Sequence, residues 1–479
     1  MDFPLDLPRP RLRPPSRPPS LSRLQAHIQR IGIGGHFRDT PRERRERALA
    51  LYYCQGLLFP GERKSMQPSA ARVPEAKYEA IQNFITNSPW DWVKSQANLI
   101  DVMMEEASSK RGLLVIDDVP FPKQGSKSPG VSKQYSGVRG SVDNCQAVVD
   151  CAYILPRGTV NRESVGWCFA MDVYLPKSWA QDPARCEEAG IPVPVAFREK
   201  WRIGLEQVDR ARQHGLPHQA TLADCGYGDA GEFRGALRAR GEPYVMEVTS
   251  SEVRVVPFTA PILRPEDILG GSSGHYITRP RLMPGTPTVS PKVLAENATD
   301  WVRIRWAEGT KGPLEGEFTR RKVRVCRGDK VPTDEMGWLL LEKTPDGPRS
   351  WICWGLNSLR LEELAQMAHR RFLIERFHEE AKMELGMDHF EGRRWRGLNH
   401  HLTLVLIAHT FLVLEQLASQ EEGKTEGEDR APLPTLAEMR RQVVIEVARA
   451  LVARVALDPT KKERVAWGEA VARYWAGAG

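Results

Sequence analysis

Three acidic residues stand at positions from which their carboxylates can meet in the folded chain. Asp117 ends a predicted strand, Asp224 ends a second one, and Glu375 lies inside a predicted helix. Carboxylates at strand ends project into the crevice beyond a sheet edge, where a helix laid across the sheet can supply a third. Oxygen ligands suit hard divalent cations, and a metal ion makes the clustering of like charges tolerable. Two such ions ~3.5 to 4 Å apart can catalyse the displacement reaction that breaks a phosphodiester bond.

Each of these residues also has a simpler interpretation. An Asp at a strand-to-turn junction is often only a turn former or a helix cap. Asp118 directly follows Asp117, so the first ligand is ambiguous. Glu375 shares one helix face with Arg371 and Lys382, because their spacings at ~100° per residue return close to the starting direction. That stripe could bind a metal and phosphates, or its first two residues could form an ordinary i, i+4 ion pair.

A sheet and a crossing helix are needed to position these residues. The hydrophobic pattern between residues 113 and 248 predicts the order β-β-β-α-β-α-β. A stretch rich in Pro and Gly follows, and then four alternating segments between residues 301 and 355, which we interpret as an inserted sheet. A long helix is predicted from Leu359 to Leu385 and an apolar helix from Leu402 to Ala418.

The composition limits the class of protein. The chain has 479 residues, a net charge of +7, and eight cysteines with no C-x-x-C pair, which argues against a zinc site or a disulfide scaffold. Residues 1–50 contain eleven Arg and five acidic residues, which favours a polyanionic partner, although a solubilising tail would have the same charge. No apolar run reaches the ~18 to 20 residues that cross a bilayer. We therefore expect a cytoplasmic, nucleoid-associated protein that does not bind a membrane.

Several separated motifs together resemble a known family. The strand order, the three acids and the R-x3-E-x6-K spacing are similar to bacterial insertion-sequence transposases of the DDE type, which have a ribonuclease-H-like fold. Segments 116–146, 222–228 and 383–401 resemble more narrowly the insertion-sequence-seven-hundred-and-one type. The likeness covers roughly residues 45–418.

The resemblance implies a site and a reaction. Asp117, Asp224 and Glu375 would be the catalytic triad and would hold two Mg²⁺ ions, with Mn²⁺ as a substitute. Arg371 and Lys382 would contact phosphates. The activity implied is DNA cleavage at the ends of a mobile element and strand transfer into target DNA, with terminal inverted repeats and target DNA as partners. A homodimer is expected when two ends are paired.

The resemblance also sets the expected architecture, an α/β fold with a ribonuclease-H-like core, a β-rich insertion, an amino-terminal helical domain and carboxy-terminal helices. The predicted segments are a disordered basic Pro-rich arm (1–22), a helical DNA-binding domain (23–110), the first part of the core (111–255), the β-rich insertion (256–356), the core part with the catalytic helix (357–418), a linker (419–433) and carboxy-terminal helices (434–479).

Further basic residues near these elements could follow a DNA backbone, although flexible solvated loops would have the same composition. They lie in a loop rich in Gly and Lys after the first strand and around Trp395 after the long helix. The candidates are Lys123, Lys127, Arg139, Arg393, Arg394 and Arg396.

Two departures from the family pattern are present. The wider signature has a Tyr three residues before the Arg, where this chain has Ala368. The gap between Asp224 and Glu375 is also long for a bare ribonuclease-H-like fold, and the β-rich insertion explains it. Two other functions therefore stay open, a DNA-binding protein derived from a transposase that no longer cuts, and a metal-dependent nuclease without strand transfer.

Overall fold

The computed structural model describes residues 20–33, 40–73, 75–136, 140–157, 164–265, 279–309, 312–329, 331–422 and 433–456. Most of the predicted arm, most of the predicted linker, Arg139 and the tail beyond residue 456 lie outside the described residues. One large sheet and helices on both of its faces form a mixed α/β fold, which confirms the predicted class.

Helices form the amino-terminal region and cover the sheet. The first five precede the sheet, the next six connect its strands, and the last four follow it. They are α1 (Ser20–Ile31), α2 (Pro41–Leu58), α3 (Met66–Ala71), α4 (Tyr78–Thr86), α5 (Trp92–Glu106), α6 (Lys177–Ala180), α7 (Pro183–Ala189), α8 (Lys200–Gln213), α9 (Cys225–Gly228), α10 (Gly231–Ala239), α11 (Pro291–Glu296), α12 (Leu361–His369), α13 (Phe372–Leu385), α14 (Trp395–Glu422) and α15 (Leu436–Ala456).

Within the described residues, eleven strands join one sheet and two short strands pair separately. They are β1 (Leu113–Pro122), β2 (Ser132–Ser136), β3 (Ser141–Leu155), β4 (Val165–Val173), β5 (Ala220–Ala223), β6 (Tyr244–Val248), β7 (Arg254–Pro257), β8 (Ile262–Leu263), β9 (Arg281–Leu282), β10 (Val302–Gly309), β11 (Gly312–Arg327), β12 (Val331–Lys343) and β13 (Arg349–Trp354). The main path is β10-β11-β12-β13-β6-β5-β1-β3-β2, with β4 on β3 and β7 on β11, while β8 pairs with β9.

The centre of the sheet is parallel and buried. β1 pairs in parallel with β5, and β5 with β6. Parallel strands covered on both faces have continuous apolar sequences, and the first four residues of β1 (Leu-Leu-Val-Ile) are all fully buried. This rigid centre fixes the height of Asp117 and Asp224 on the sheet. Asp224 directly follows β5, but the prediction that Asp117 ends its strand is wrong, because pairing with β3 continues β1 to Pro122.

Apart from the short pair β8 and β9, the strands of the predicted insertion continue the core sheet and do not form a sheet of their own. β13 pairs antiparallel with β6, with Trp351 opposite Glu247 and Cys353 opposite Val245. β7 pairs antiparallel with β11. The insertion therefore extends one edge of the core, and its residues share faces with those of the central strands.

The predicted helix from Leu359 to Leu385 is wrong in one respect, because it is two helices. Between α12 and α13 the backbone bonds tighten from i, i+4 to i, i+3, with Leu373 N donating to Arg370 O and Ile374 N to Arg371 O, both at 3.1 Å. Arg371 thus precedes the first turn of α13. This tightened turn brings its side chain over the end of the sheet.

The apolar helix is longer than predicted. The sequence indicates Leu402 to Ala418, whereas α14 is 28 residues long and packs against β4, α2 and α5. Residues 395–419 are long and apolar enough to span a membrane, which corrects the expectation that no such segment exists, and 78% of that window is buried inside the fold. Burial of this extent is typical of a core helix.

Candidate functional site

Acidic side chains from adjacent strands form a row across one face of the sheet. Asp117 of β1 lies directly opposite Asp150 of β3. Ile116 pairs with Ala223 of β5, so Asp224 follows at the same height as Asp117. Residues paired across strands point to the same face. The register of β1 and β5 thus brings the first two acids of the predicted triad together, Asp117 within β1 and Asp224 directly after β5.

Arg371 joins the row to the helix that carries the third acid. Its Nη1 donates to Asp117 Oδ2 at 3.0 Å and its Nη2 donates to Glu375 Oε1 at 2.6 Å. The Arg371 side chain is 17% exposed, and that of Glu375 is 56% exposed. The i, i+4 ion pair that the spacing allows is therefore formed, and it extends to the sheet through Asp117.

The structure separates Asp117 from Asp118. Successive strand residues point to opposite faces, and Asp118 Oδ2 accepts a hydrogen bond from Lys200 Nζ of α8 at 2.7 Å on the face away from α13. Asp117 alone of the two contacts Arg371. The alternation of the strand therefore places Asp117, and not its neighbour, beside α13.

Burial opposes charge on the acids of this row. Burial raises the pKa of Asp117 to about 7, while Arg371 acts in the opposite direction and Asp224 adds to the rise. Burial also raises the pKa of Asp224, and Arg371 again lowers it. Carboxylates so placed need a positive partner to ionise fully near neutral pH. Here the guanidinium of Arg371 supplies part of that positive charge.

The residues present fit a hard divalent cation in their chemistry. Asp224 Oδ1 is buried and accepts no hydrogen bond from any described residue, and carboxylate oxygen is the ligand that Mg²⁺ and Mn²⁺ prefer. Among the described residues, however, no three His, Cys, Asp or Glu side chains lie close enough together to hold a metal ion. The Arg371 guanidinium lies between Asp117 and Glu375, where a shared cation would have to lie.

Sequence reasoning missed two partners of the row. Asp150 is fully buried, and its Oδ2 lies 2.8 Å from His378 Nε2 of α13. Asp150 raises the pKa of His378 against the opposing effect of burial. The only signals were an Asp inside the apolar run of β3 and a His one helical turn after Glu375, and neither pattern is specific.

Glu247 of β6 extends the row to a fourth strand. Ala223 of β5 pairs with Met246 of β6, so Glu247 lies beside Asp224 on the neighbouring strand. Arg349 donates to both carboxylate oxygens of Glu247 at 3.0 Å. Glu247 also contributes to the raised pKa of Asp224. The sequence pattern of the short strand β6 does not indicate this role for Glu247, because the pairing of β6 with β13 cannot be read from the sequence.

The predicted phosphate-binding residues are distributed around the site. Lys382 lies further along α13, 6.0 Å from the centre of the Phe121 ring, and burial lowers its pKa. Lys123 Nζ donates to the carbonyl oxygen of Phe390 at 2.8 Å, so it holds the loop that follows α13. Lys382 therefore lies on the face of α13 that the helical spacing predicts, whereas Lys123 already has main-chain partners.

The remaining basic candidates lie on the surface beside that loop. Lys127 forms an ion pair of 2.7 Å with Glu188, and Arg394 donates to the carbonyl oxygen of the same residue at 3.0 Å. Arg396 donates to Asn87 O at 2.8 Å, and Arg393 is exposed beside the cavity that Lys123 lines. Their contact with DNA stays a prediction.

Gly228 tests how tightly the segment after Asp224 is held. A methyl group at this position would overlap the carbonyl oxygen of Glu247, so α9 packs against β6 with no room for a side chain. We expect Gly228→Ala to cost ~1 to 3 kcal/mol of unfolding free energy and to lower DNA cleavage, because Asp224 must shift with α9. The control is Gly231→Ala, whose methyl group meets nothing closer than 3.9 Å. Denaturation and cleavage assays that show equal behaviour of the two variants would contradict this packing argument.

Comparison with known proteins identifies the family. The profile of the DDE superfamily endonucleases matches residues 36–313, which is more than half of the chain and includes Asp117 and Asp224 but not Glu375. The chain is also 23% identical over 303 residues to a protein of Microchaete diplosiphon described as a probable transposase for insertion sequence element IS701, covering 60% of this chain and 74% of that protein. These findings confirm the resemblance found in the motifs. The chain belongs to the DDE superfamily endonucleases.

Proposed function

We propose that the protein is a DNA transposase that cleaves phosphodiester bonds at the ends of a mobile element and joins the released ends to target DNA. The single observation that carries the proposal is the position of Asp117 within β1 beside Asp224 at the end of β5, with Arg371 linking Asp117 to Glu375 on the crossing helix. The relative described as a probable transposase supports the same reaction class.

The order of the core elements supports a ribonuclease-H-like core. Strands β1, β3 and β4 form an antiparallel meander, and α8, β5, α10 and β6 follow in the chain. This is the order β-β-β-α-β-α-β that the sequence predicts, with β2 added as a short hairpin strand. Within this frame, the segment between β6 and α12 is the proposed β-rich insertion, and the helices before β1 are the proposed DNA-binding domain.

The proposed roles of the site residues follow from their charges and positions. Asp117, Asp224 and Glu375 would hold the divalent cations, of which Mg²⁺ is the expected species. When held there, they would supply the positive charge that activates a water or hydroxyl and stabilises the leaving oxygen in phosphodiester displacement. Asp117 loses its proton before it can act as a ligand, and Arg371, which pairs with it, favours that loss. Lys382 lies two turns beyond Glu375 on the same helix, where it can contact an adjacent phosphate.

A single assay distinguishes the three candidate functions, because each predicts a different DNA product. Supercoiled plasmid carrying the inverted repeats that flank the coding region would be incubated with the protein and Mg²⁺. The transposase proposal expects excised ends and joined products. Cleavage without joining would favour the nuclease, and retention without cutting would favour a silent DNA-binding protein. DNA partners, a dimer on paired ends and a cytoplasmic, nucleoid-associated location stay predictions that depend on this result.

Metal binding should depend on pH through Asp117. Its pKa in the folded chain is about 7, above the value in an unfolded chain, so ionising it costs stability as the pH rises towards and through 7. A divalent cation binds the carboxylate form and offsets that cost. We therefore expect MnCl₂ to raise the melting temperature more at about pH 8 than at about pH 6.

The variant Asp117→Asn is the control for this effect, because Asn has no proton to lose. We expect it to lose the pH-dependent part of the MnCl₂ effect while its melting temperature without metal changes less steeply between the two pH values. An equal MnCl₂ effect at both pH values in the unsubstituted protein would show that Asp117 is not a ligand. Differential scanning fluorimetry suffices for the measurement.

A further inference from the structure

Strand β11 in the extended sheet carries a row of cations on one face. Arg320, Lys322 and Arg324 alternate along the strand with Arg321 and Val323, so the first three point to the same side. Lys322 pairs across the strands with Trp338 of β12. This alternation separates a basic face from the face on which Val323 is buried.

Aromatic rings support the cations on this face. The Arg320 guanidinium lies 4.1 Å from the centre of the Trp338 ring, and Lys322 Nζ lies 4.9 Å from the centre of the Phe258 ring. Phe258 is 43% exposed. Cation–π contacts of this kind hold a charge in place without neutralising it. We call Arg320, Lys322, Arg324, Trp338 and Phe258 the basic strip.

The charge of the basic strip is not balanced by acids. In the part of the chain that the structure describes, Arg320, Lys322 and Arg324 form no ion pair with a carboxylate, whereas Arg321 on the opposite face is paired with Asp300. Arg320 donates a hydrogen bond to a carbonyl oxygen, and Arg324 donates to a carbonyl oxygen and to a thioether sulfur. Three cations on one face thus present an excess positive potential, the electrostatic footprint of a polyanion site.

The basic strip lies on the same face of the sheet as the acidic row. Arg320 is opposite Leu340, Leu340 is opposite Trp351, and Trp351 is opposite Glu247, so the register places the strip and the row at a single height. Leu340 and Trp351 are buried beneath α12, so a duplex that joins the strip to the row passes over that helix. Five strand spacings of ~4.8 Å separate β11 from β1, which gives ~24 Å between Arg320 and Asp117. Duplex DNA rises 3.4 Å per base pair, so this distance corresponds to ~7 base pairs.

From the cations, the rings and this distance, we propose that the basic strip binds the phosphate backbone of the DNA duplex whose end lies at the acidic row, ~7 base pairs from the bond to be cleaved. The inference rests on the proposed function for the identity of the polyanion as DNA. Phosphate contacts of this kind position a duplex without reading its sequence. The basic strip would therefore fix the angle at which a DNA end enters the site.

The test compares matched charge removals on the two faces of β11. The probe is a ~30-base-pair duplex of arbitrary sequence, and its dissociation constant is measured by fluorescence anisotropy between ~50 and ~200 mM salt. Lys322→Gln removes one charge of the strip at an exposed position, and Arg320→Gln is then added to it. Arg321→Gln is the control, because it removes one charge from the opposite face of the same strand.

We expect the slope of log affinity against log salt to fall by ~0.9 for Lys322→Gln and by about twice that for the double variant, with ~10-fold or greater loss of affinity near ~150 mM salt. Arg321→Gln should leave the slope unchanged. An unchanged slope in Lys322→Gln, or an equal fall in Arg321→Gln, would overturn the proposal. Because Lys322 is exposed, the result of the single variant does not depend on whether the double variant folds.

The same variants distinguish failure of this inference from failure of the proposed function. If the unsubstituted protein binds the duplex with the expected slopes but never cleaves element ends, the transposase proposal fails and the basic strip stands as a DNA-binding surface. If the protein cleaves and joins ends while the Lys322→Gln slope is unchanged, the transposase proposal stands and the basic strip is refuted.

Discussion

Substitution of Asp224 by Asn should lower strand cleavage by ~10²-fold to 10³-fold or more, the scale seen when a preorganised electrostatic group is removed from an active site. Asn preserves the shape of the side chain but removes the charge. The Oδ1 atom of Asp224 is buried and has no hydrogen-bond donor among the described residues, so it is the oxygen whose negative charge we expect to matter most. Binding of end DNA should stay within a few-fold, because the substitution removes a negative charge and no cation that could contact a phosphate.

Asp118→Asn is the matched control for this experiment. Asp118 is next to Asp117 in the chain but points to the other face, where it pairs with Lys200. We expect the control to keep cleavage within ~10-fold of the unsubstituted protein, while Asp224→Asn and Glu375→Gln lose it. Full activity in Asp224→Asn, or a loss as large in Asp118→Asn, would refute the assignment of the catalytic face.

The second large effect concerns stability. Glu335 of β12 is buried, and its Oε1 accepts hydrogen bonds from Arg234 Nε at 2.8 Å and from Tyr244 OH at 2.6 Å. Its Oε2 lies 3.1 Å from Arg238 Nη1. This buried cluster ties the insertion to α10 and β6 of the core. Glu335→Ala should therefore cost ~3 to 5 kcal/mol of unfolding free energy, because it leaves the buried Arg234 without its carboxylate.

Asp334→Ala is the control, because Asp334 is the adjacent residue and also pairs with Arg238. Its side chain is 84% exposed, against 3% for Glu335. Exposed pairs contribute little, so this variant should stay within the ~0.5 kcal/mol typical of surface changes. Chemical denaturation measures both variants. Similar losses in the two, or a loss below ~1 kcal/mol in Glu335→Ala, would show that the insertion does not depend on this cluster.

Local patterns in the sequence were sufficient to single out Asp117 and Asp224 and to predict the order of the core elements, although β1 continues beyond Asp117. Asp117 follows an apolar run and Asp224 precedes Cys-Gly-Tyr-Gly, and each signal lies within a few residues. The helical spacing of Arg371 and Glu375 likewise predicts a shared face, and the ion pair between them is present. These features follow from strand and helix periods, which depend only on the chain nearby.

The remaining features depend on contacts between distant segments. Asp150 could not be recognised, because a single acid in an apolar strand becomes meaningful only when β3 pairs with β1 and His378 lies beneath it. The pairing of β13 with β6, which merges the insertion with the core, is likewise non-local. The choice between Asp117 and Asp118 needed the position of α8. Alternation shows that the two side chains point to opposite faces of the sheet, but not which helix covers each face.

The assignment of Asp117, Asp224 and Glu375 as metal ligands is tested most directly by a structure of the protein bound to an element end and Mn²⁺, with the anomalous signal of manganese used to locate the ions. We predict manganese bonded to carboxylate oxygens of Asp117, Asp224 and Glu375, with the guanidinium of Arg371 no longer between Asp117 and Glu375. Manganese at other residues, with the contacts of Arg371 to both acids unchanged, would contradict it.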